Sequence, residues 1–340
     1  MVPFSGFEMP VQYQNLKDEV LAVRQHCGMF DVSHMGEFWV TGTDALSFVD
    51  SIVTNDIFNA PTGKAIYALL LNQDAKILDD LIVYKLSHDK ILICVNAGNI
   101  EKDWEWILSQ KGQFQCELTN KSEETSLIAL QGPESEKHLI QILKNTEISK
   151  MEYYSVIEMS FQNEVITIAR TGYTGEDGFE IFASHKSIQN LWNLFLNNGV
   201  KPCGLGARDV LRLEVCYPLY GHELNEKLNP YDVGLKWPVK INKKYFVGQN
   251  ILKNYTSTKS LIKISLEKGI PRADYAVIQN NQIIGVITSG TMSVVTGKGI
   301  ALALIDKNKF KENDSLFVDI RGNQFPAELN KKPFVSGGHK

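Results

Sequence analysis

The chain has 340 residues, 44% of them hydrophobic and 22% charged, with 5 cysteines and a formal net charge of −4. That length exceeds what one simple core holds and implies two or three domains, in a composition ordinary for a soluble globular protein. A mild negative balance with no dense Lys/Arg run speaks against a nucleic-acid partner, and scattered cysteines without a C-x-x-C pair speak against a disulfide framework or a zinc site.

The N-terminal Met1-Val-Pro-Phe-Ser-Gly-Phe-Glu has no basic or apolar signal region, and no stretch approaches a membrane span. The expectation is a cytoplasmic protein that binds no membrane and no metal. Asn15 to His26 reads as an amphipathic helix with Leu16, Val20 and Val23 on one face, stopped by Gly28. Met29–Val40 alternates as a strand does, and Thr43 suits the N-cap of the next helix. Ala65–Leu71 and Ile77–Tyr84 read as strands paired about an Asn72-Gln73-Asp74 turn, Ile91–Asn96 as a third strand, and Ile100–Gln110 as a helix. The alternation recurs with Ser126–Leu130 and Val165–Arg170 as strands, and with Glu134–Lys144 and Ile188–Asn197 as helices. Two related α+β units account for this better than one doubly wound sheet.

After about residue 255 only short strand-like runs remain: Leu261–Leu266, Tyr275–Ile278, Ile283–Ser289, Gly299–Leu304 and Leu316–Ile320. They predict a small closing β-barrel. The expected organisation is two intertwined α+β lobes over 1–255, a polar linker at Asn254–Lys259, the barrel over 256–335, and a mobile tail over 336–340.

The most informative stretch is Arg170-Thr-Gly-Tyr-Thr-Gly-Glu-Asp-Gly-Phe-Glu180. Glycines at three-residue spacing let backbone approach a ligand, but Glu176 and Asp177 would repel a phosphate. It reads either as a long hairpin turn or as a loop for a flat, donor-rich ligand, with Tyr173 packing on it and one carboxylate accepting its N–H groups. In Ile77-Leu-Asp-Asp-Leu-Ile-Val-Tyr84, Asp80, Ile82 and Tyr84 share one strand face and Asp79, Leu81 and Val83 the other. Both faces are otherwise apolar, so a carboxylate there is either at a solvated hairpin mouth or aimed at a cation or transferable proton. In Gly204-Leu-Gly-Ala-Arg-Asp-Val-Leu-Arg-Leu-Glu214, Arg208 opposes the helix dipole. Either Arg208 and Arg212 form a salt-bridge lattice with Asp209 and Glu214, or a guanidinium holds a ligand carboxylate or carbonyl. His34 lacks a second metal ligand at suitable spacing and reads as a structural, hydrogen-bonded histidine. His222-Glu223 is ambiguous, and Trp237 is either core or a stacking platform.

Together these segments resemble the glycine cleavage system T-protein family, the tetrahydrofolate-dependent aminomethyltransferases. The matching stretches include Gly28–Glu37, Gly63–Tyr67, Leu78–Tyr84, Asn96–Trp104, Gln131-Gly-Pro133, Arg170–Glu180, Gly204–Glu214, Tyr220–Glu223 and Thr288-Ser-Gly290, in the family's order over nearly the whole chain. The resemblance implies an α+β, three-lobed cloverleaf: two related folate-binding lobes, then the barrel, with folate in a central channel. It implies that Glu180 accepts the amino-pyrimidine edge of the pterin and that Arg208 is a second recognition residue. It further implies that Tyr67, Asn96, Tyr173 and Trp237 line the channel and that Asp80 is the catalytic carboxylate. The implied reaction moves a one-carbon unit from the aminomethyl-dihydrolipoyl arm of lipoylated H-protein to tetrahydrofolate, releasing ammonia. A monomer is expected.

Some features depart from the family pattern. Such chains usually carry a dozen or more residues ahead of the segment that opens here at Met1. Val294 and Thr296 alter a Ser-Pro-x-Leu-Gly turn, and the aromatic C-terminal end is replaced. Rival readings are a folate-dependent demethylase of the same superfamily and a non-enzymatic folate-binding protein of iron–sulfur maintenance. The second usually carries a cysteine where Asn242–Gln249 has none.

Overall fold

In the computed structural model, which describes residues 1–339, Asn15 opens the helix Leu16–Gln25. Its Oδ1 accepts the N–H groups of Lys17 at 2.9 Å and Asp18 at 3.3 Å, satisfying two of the donors that a helix start leaves free. The run Met29–Val40, expected as one strand, is two: Gly28–Asp31 and Gly36–Thr41. They belong to different sheets. Apolar alternation on both sides of the turn hides the break from a pattern-based reading. Thr43 does not cap the next helix, Ala45–Ile52; its hydroxyl donates to Gln115 O at 3.4 Å, while Asp44 accepts from Gln115 N at 2.7 Å.

The first sheet has five strands in the order Lys64–Leu71, Ile77–Lys85, Lys90–Val95, Gly36–Thr41 and Glu117–Asn120. The second has six: Val156–Phe161, Glu164–Ala169, Gly178–Ser184, Thr125–Gln131, Gly28–Asp31 and Lys201–Pro202. The two sheets face each other. Tyr84, Leu92 and Cys94 of the first pack with Phe30, Ala129, Ala169 and Phe182 of the second. On the outer face of the first sheet, Leu81 and Val83 pack with Phe48 and Val49 of Ala45–Ile52 and Ile107 of Ile100–Gln110. The outer face of the second carries Ser135–Leu143 and His185–Asn197. Strand Ile77–Lys85 is therefore covered on both faces, and its two side-chain rows meet different partners.

The C-terminal strands close into a barrel in the order Lys259–Leu266, Gly299–Asp306, Gln282–Met292, Ala276–Gln279, Leu316–Ile320 and Asn323–Asn330. The sixth strand escapes the sequence reading because polar residues make up half of it and it contains Pro326, which sits opposite Phe317. It completes the closure by pairing Ile264 with Leu329. The stretch between lobes and barrel is tied down: Tyr255 and Ser257 donate their hydroxyls to Asp232 at 2.8 and 2.6 Å. Of the stretch expected as a mobile tail, residue 340 lies outside the described residues, and Gly338 and His339 lie along the glycine loop. Gly338 N donates to Gly175 O at 2.9 Å, and the His339 ring stacks on Tyr153 at 4.2 Å. A side chain at 338 would meet Glu176 Oε2 at 2.3 Å, so the close fit depends on glycine there.

Candidate active site

The glycine loop connects the antiparallel strands Glu164–Ala169 and Gly178–Ser184, so it is a hairpin connection as well as a site element. Its glycines are required by internal packing. A Cβ at Gly172 would lie 2.0 Å from Gln131 Oε1, and one at Gly178 2.3 Å from Gln131 Nε2. Gly175 has φ +82° and faces Val215. The loop's acids divide into two groups. Asp177 takes a two-pronged bond from Arg170, Nε at 2.9 Å and Nη2 at 2.6 Å, and Glu176 accepts Arg24 Nη1 at 2.8 Å. Among the described residues Glu180 has no cation as a direct partner; Thr171 Oγ1 and Tyr84 Oη donate to its Oε2 at 2.6 and 3.2 Å. Without Asp177, buried Arg170 loses this two-pronged bond and keeps Glu136 Oε2 and Met151 O, each at 2.8 Å. Asp177→Ala should therefore cost about 1.5–3 kcal/mol, the usual worth of hydrogen bonding to a charged group. Urea unfolding checks this, and a change under about 1 kcal/mol would show the pair to be dispensable.

Asp80 sits on the inner row of its strand, with Tyr67 of the neighbouring strand donating Oη to Oδ2 at 3.0 Å. Asn96 Nδ2 bridges the acid doublet, reaching Asp80 Oδ1 at 3.0 Å and Asp79 Oδ1 at 2.9 Å. Burial, reinforced by the Asp79 charge, pushes the Asp80 carboxyl up to about 7, against the lowering effect of the Tyr67 and Asn96 bonds. Asp80 is thus poised to change charge near neutrality. Tyr67 also stacks on Trp237 at 5.2 Å and 22°, and Trp237 is 57% exposed. That favours the platform over the core among the two readings of this tryptophan.

Arg208 and Arg212 separate the two readings of their helix, Leu205–Glu214. Arg212 is the lattice residue, bound to Asp209 Oδ1 at 2.8 Å, Glu223 Oε2 at 3.0 Å and Ser289 Oγ at 2.7 Å. Glu214 pairs instead with Arg24. Arg208 lies with its guanidinium carbon 4.9 Å from the Tyr173 ring centre, and its Nη1 is buried with no acceptor among the described residues. Burial lowers its affinity for a proton, and Glu180 partly restores it. Tyr173 in turn bonds Pro218 O and feels the charges of Asp80 and Arg208. The structure thus brings Tyr67, Asp80, Asn96, Tyr173, Glu180 and Arg208 around one inter-sheet region, with Trp237 at its exposed side.

His34 is buried against Phe4 at 5.3 Å, but its Nδ1 has no partner among the described residues, unlike the hydrogen-bonded histidine expected. Burial and the Arg208 charge pull it down to about 4, so it is neutral at pH 7. His222 accepts no special role: its Nδ1 lies 3.1 Å from Thr288 O. Sequence reasoning missed Thr171 and Tyr84 as the groups that hold Glu180. Tyr84 was readable in principle, since it shares the Asp80 face of its strand.

A family model described as the GCVT N-terminal domain matches residues 1–243, and one described as the Glycine cleavage T-protein C-terminal barrel domain matches residues 259–336. The chain belongs to the glycine cleavage T-protein family. An aminomethyltransferase of Thermosipho melanesiensis is 43% identical over 100% of this chain and 94% of its own length. That of Thermotoga maritima is 44% identical over 99% and 94%. The glycine cleavage system aminomethyltransferase T from Bartonella henselae, a crystal structure, superposes with a TM-score of 0.92 at 28% identity, covering 99% of this chain and 94% of that one. Full-length similarity of this order makes the chain a T-protein-family enzyme of the aminomethyltransferase type, with the family's α+β lobes and C-terminal barrel. Neither the demethylase nor the iron–sulfur maintenance reading is favoured. Among the described residues no helix is long and apolar enough to cross a membrane, and no group of three or more metal-ligating side chains is found.

Proposed function

We infer that this chain, as an aminomethyltransferase of the glycine cleavage system, works with Asp80 at the reacting end of the inter-sheet site and Glu180 and Arg208 at the recognition end. The observation that carries this reading is the split between two pairs of acids. Asp177 and Glu176 are neutralised by arginines, whereas among the described residues Glu180 and Asp80 have only hydroxyl and amide donors. Tyr84 and Asp80 lie four residues apart on one strand face, about 13 Å along the strand at 3.3 Å per residue. Since Tyr84 reaches Glu180, one strand spans both ends of the site.

Tetrahydrofolate is the co-substrate that this arrangement suits. Glu180 offers its carboxylate to the paired N–H donors of a pterin's amino-pyrimidine edge, and Arg208 has an unused N–H for a ring carbonyl. Tyr67, Tyr173 and Trp237 supply flat surfaces, and Asn96 a fixed amide beside Asp80. The donor substrate is the aminomethyl group on the dihydrolipoyl arm of H-protein. Its C–S and C–NH2 bonds break and two C–N bonds form to the folate; of the two protons the folate nitrogens give up, one ends on the dihydrolipoyl sulfur and one on the departing ammonia. The Asp80 anion stabilises the cationic carbon that arises as sulfur departs, and the packed sheets keep water from hydrolysing it.

Single-turnover reaction with aminomethylated H-protein tests this. Ammonia and 5,10-methylene-tetrahydrofolate should appear together, one for one, and only when tetrahydrofolate is present. Demethylation of a sulfonium or N-methyl substrate without ammonia release would replace this reading with the superfamily alternative.

A further inference from the structure

Beneath Asp80 lies a second carboxyl pair that the reaction as described does not use. Asp79 is fully buried and accepts Asn96 N at 2.9 Å, Asn96 Nδ2 at 2.9 Å and Asn99 Nδ2 at 2.6 Å. Asp103, on helix Ile100–Gln110 one turn beyond Asn99, is also fully buried and lies beside Asp79, which after burial itself is what most raises its carboxyl. Neither Asp103 oxygen meets a nitrogen or hydroxyl donor among the described residues. Two carboxyls in such contact cannot both be charged, so one proton is retained between them. Asp79 has the better claim to the charge, because three amide donors already converge on it while Asp103 has none.

We propose that Asp103 is a positioning residue that keeps the proton of this buried pair and thereby fixes Asp79 as the anion that orients Asn96 against Asp80. The proposal rests on the assignment of Asp80 as the reacting carboxylate. With the Asp103 O–H, Asp79 has four donors and stays ionised despite its burial. Its charge holds the Asn96 amide with Nδ2 toward the acid doublet, which leaves Oδ1 turned away from it. That charge also lifts Asp80 toward neutrality. The other groups that act on the pair are few. Lys102, one residue from Asp103, favours its anion but is held by Leu78 O at 2.8 Å, Tyr220 Oη at 2.9 Å and Glu226 at 3.1 Å. Asp80 works in the opposite direction, as do burial and Asp79. Tyr67 and Tyr173 face Asp80 from the other side.

The test is the pH dependence of single-turnover rate in three variants, with infrared difference spectra of the protonated-carboxyl band. Asp103→Asn keeps a neutral donor to Asp79 and should leave the acid midpoint in place while deleting one buried protonated-carboxyl signal at neutral pH. Asp79→Asn removes the charge and should move the midpoint down by about one pH unit, the coupling typical of interacting carboxyls. Asp103→Leu leaves Asp79 short of a donor, so Asp79 takes up a proton and the midpoint should fall as in Asp79→Asn. An unshifted midpoint in both Asp79→Asn and Asp103→Leu, or an unchanged infrared band in Asp103→Asn, would overturn the proposal. Because the infrared readout needs no turnover, it fails or holds independently of the role assigned to Asp80.

Discussion

Asp80→Asn should lower the single-turnover rate by about 10²–10³-fold, the usual cost of deleting one preorganised electrostatic contact to a transition state. Tetrahydrofolate affinity should change by less than about threefold, since the substitution keeps the size and most of the hydrogen bonding with Tyr67 and Asn96. The sign with pH follows from the raised carboxyl. The active form is the anion, so the rate falls as pH drops through about 7 and is full above it. Measuring both rate and affinity separates catalysis from binding. Near wild-type turnover in Asp80→Asn would remove Asp80 from the chemistry and leave the family membership untouched.

Glu180→Ala should weaken tetrahydrofolate binding by more than about 100-fold, or about 3 kcal/mol for a charged acceptor serving two N–H donors. Calorimetric titration measures it directly. Glu180→Gln should fall between, because an amide retains one acceptor and introduces a donor against a donor. The fold should tolerate both changes, since among the described residues Glu180 is held by the hydroxyls of Thr171 and Tyr84 and by no salt bridge. Unaltered binding in the alanine variant would move pterin recognition away from this strand.

Much of this site is legible in the residues alone, and the illegible parts share a cause. The parity of Ile77–Tyr84 is sufficient to assign Asp80 and Tyr84 to one face, because strand alternation is a local property. Arg208 is visible as a cation at the wrong end of a helix dipole, and only tertiary contacts distinguish it from Arg212. The acids of the glycine loop could not be sorted beforehand. Their partners, Arg24 and Arg170, come from different elements, and Arg24 is 152 residues away from Glu176. The glycines left a hairpin turn and backbone room for a ligand both open, and only tertiary packing shows Gln131 filling the space beside Gly172 and Gly178. Asp103 stands in the first turn of its helix, where an acid carries no special signal, and its burial depends on how that helix packs on the sheet. The sixth barrel strand was lost to its proline.

The adjacent aspartates of strand Ile77–Lys85 make the site sensitive to counting. One acid serves each side of the sheet, and the hairpin at Asn72, with its ladder irregularity at Leu70 and Leu71, sets which is which. A one-residue deletion in that hairpin would exchange the two by sliding the strand half a pleat. Each side would still carry an aspartate, but Tyr84 would swing toward the helices and its hydroxyl would leave Glu180. Composition would survive while wiring was lost, so indels here are more damaging than most substitutions in the same stretch.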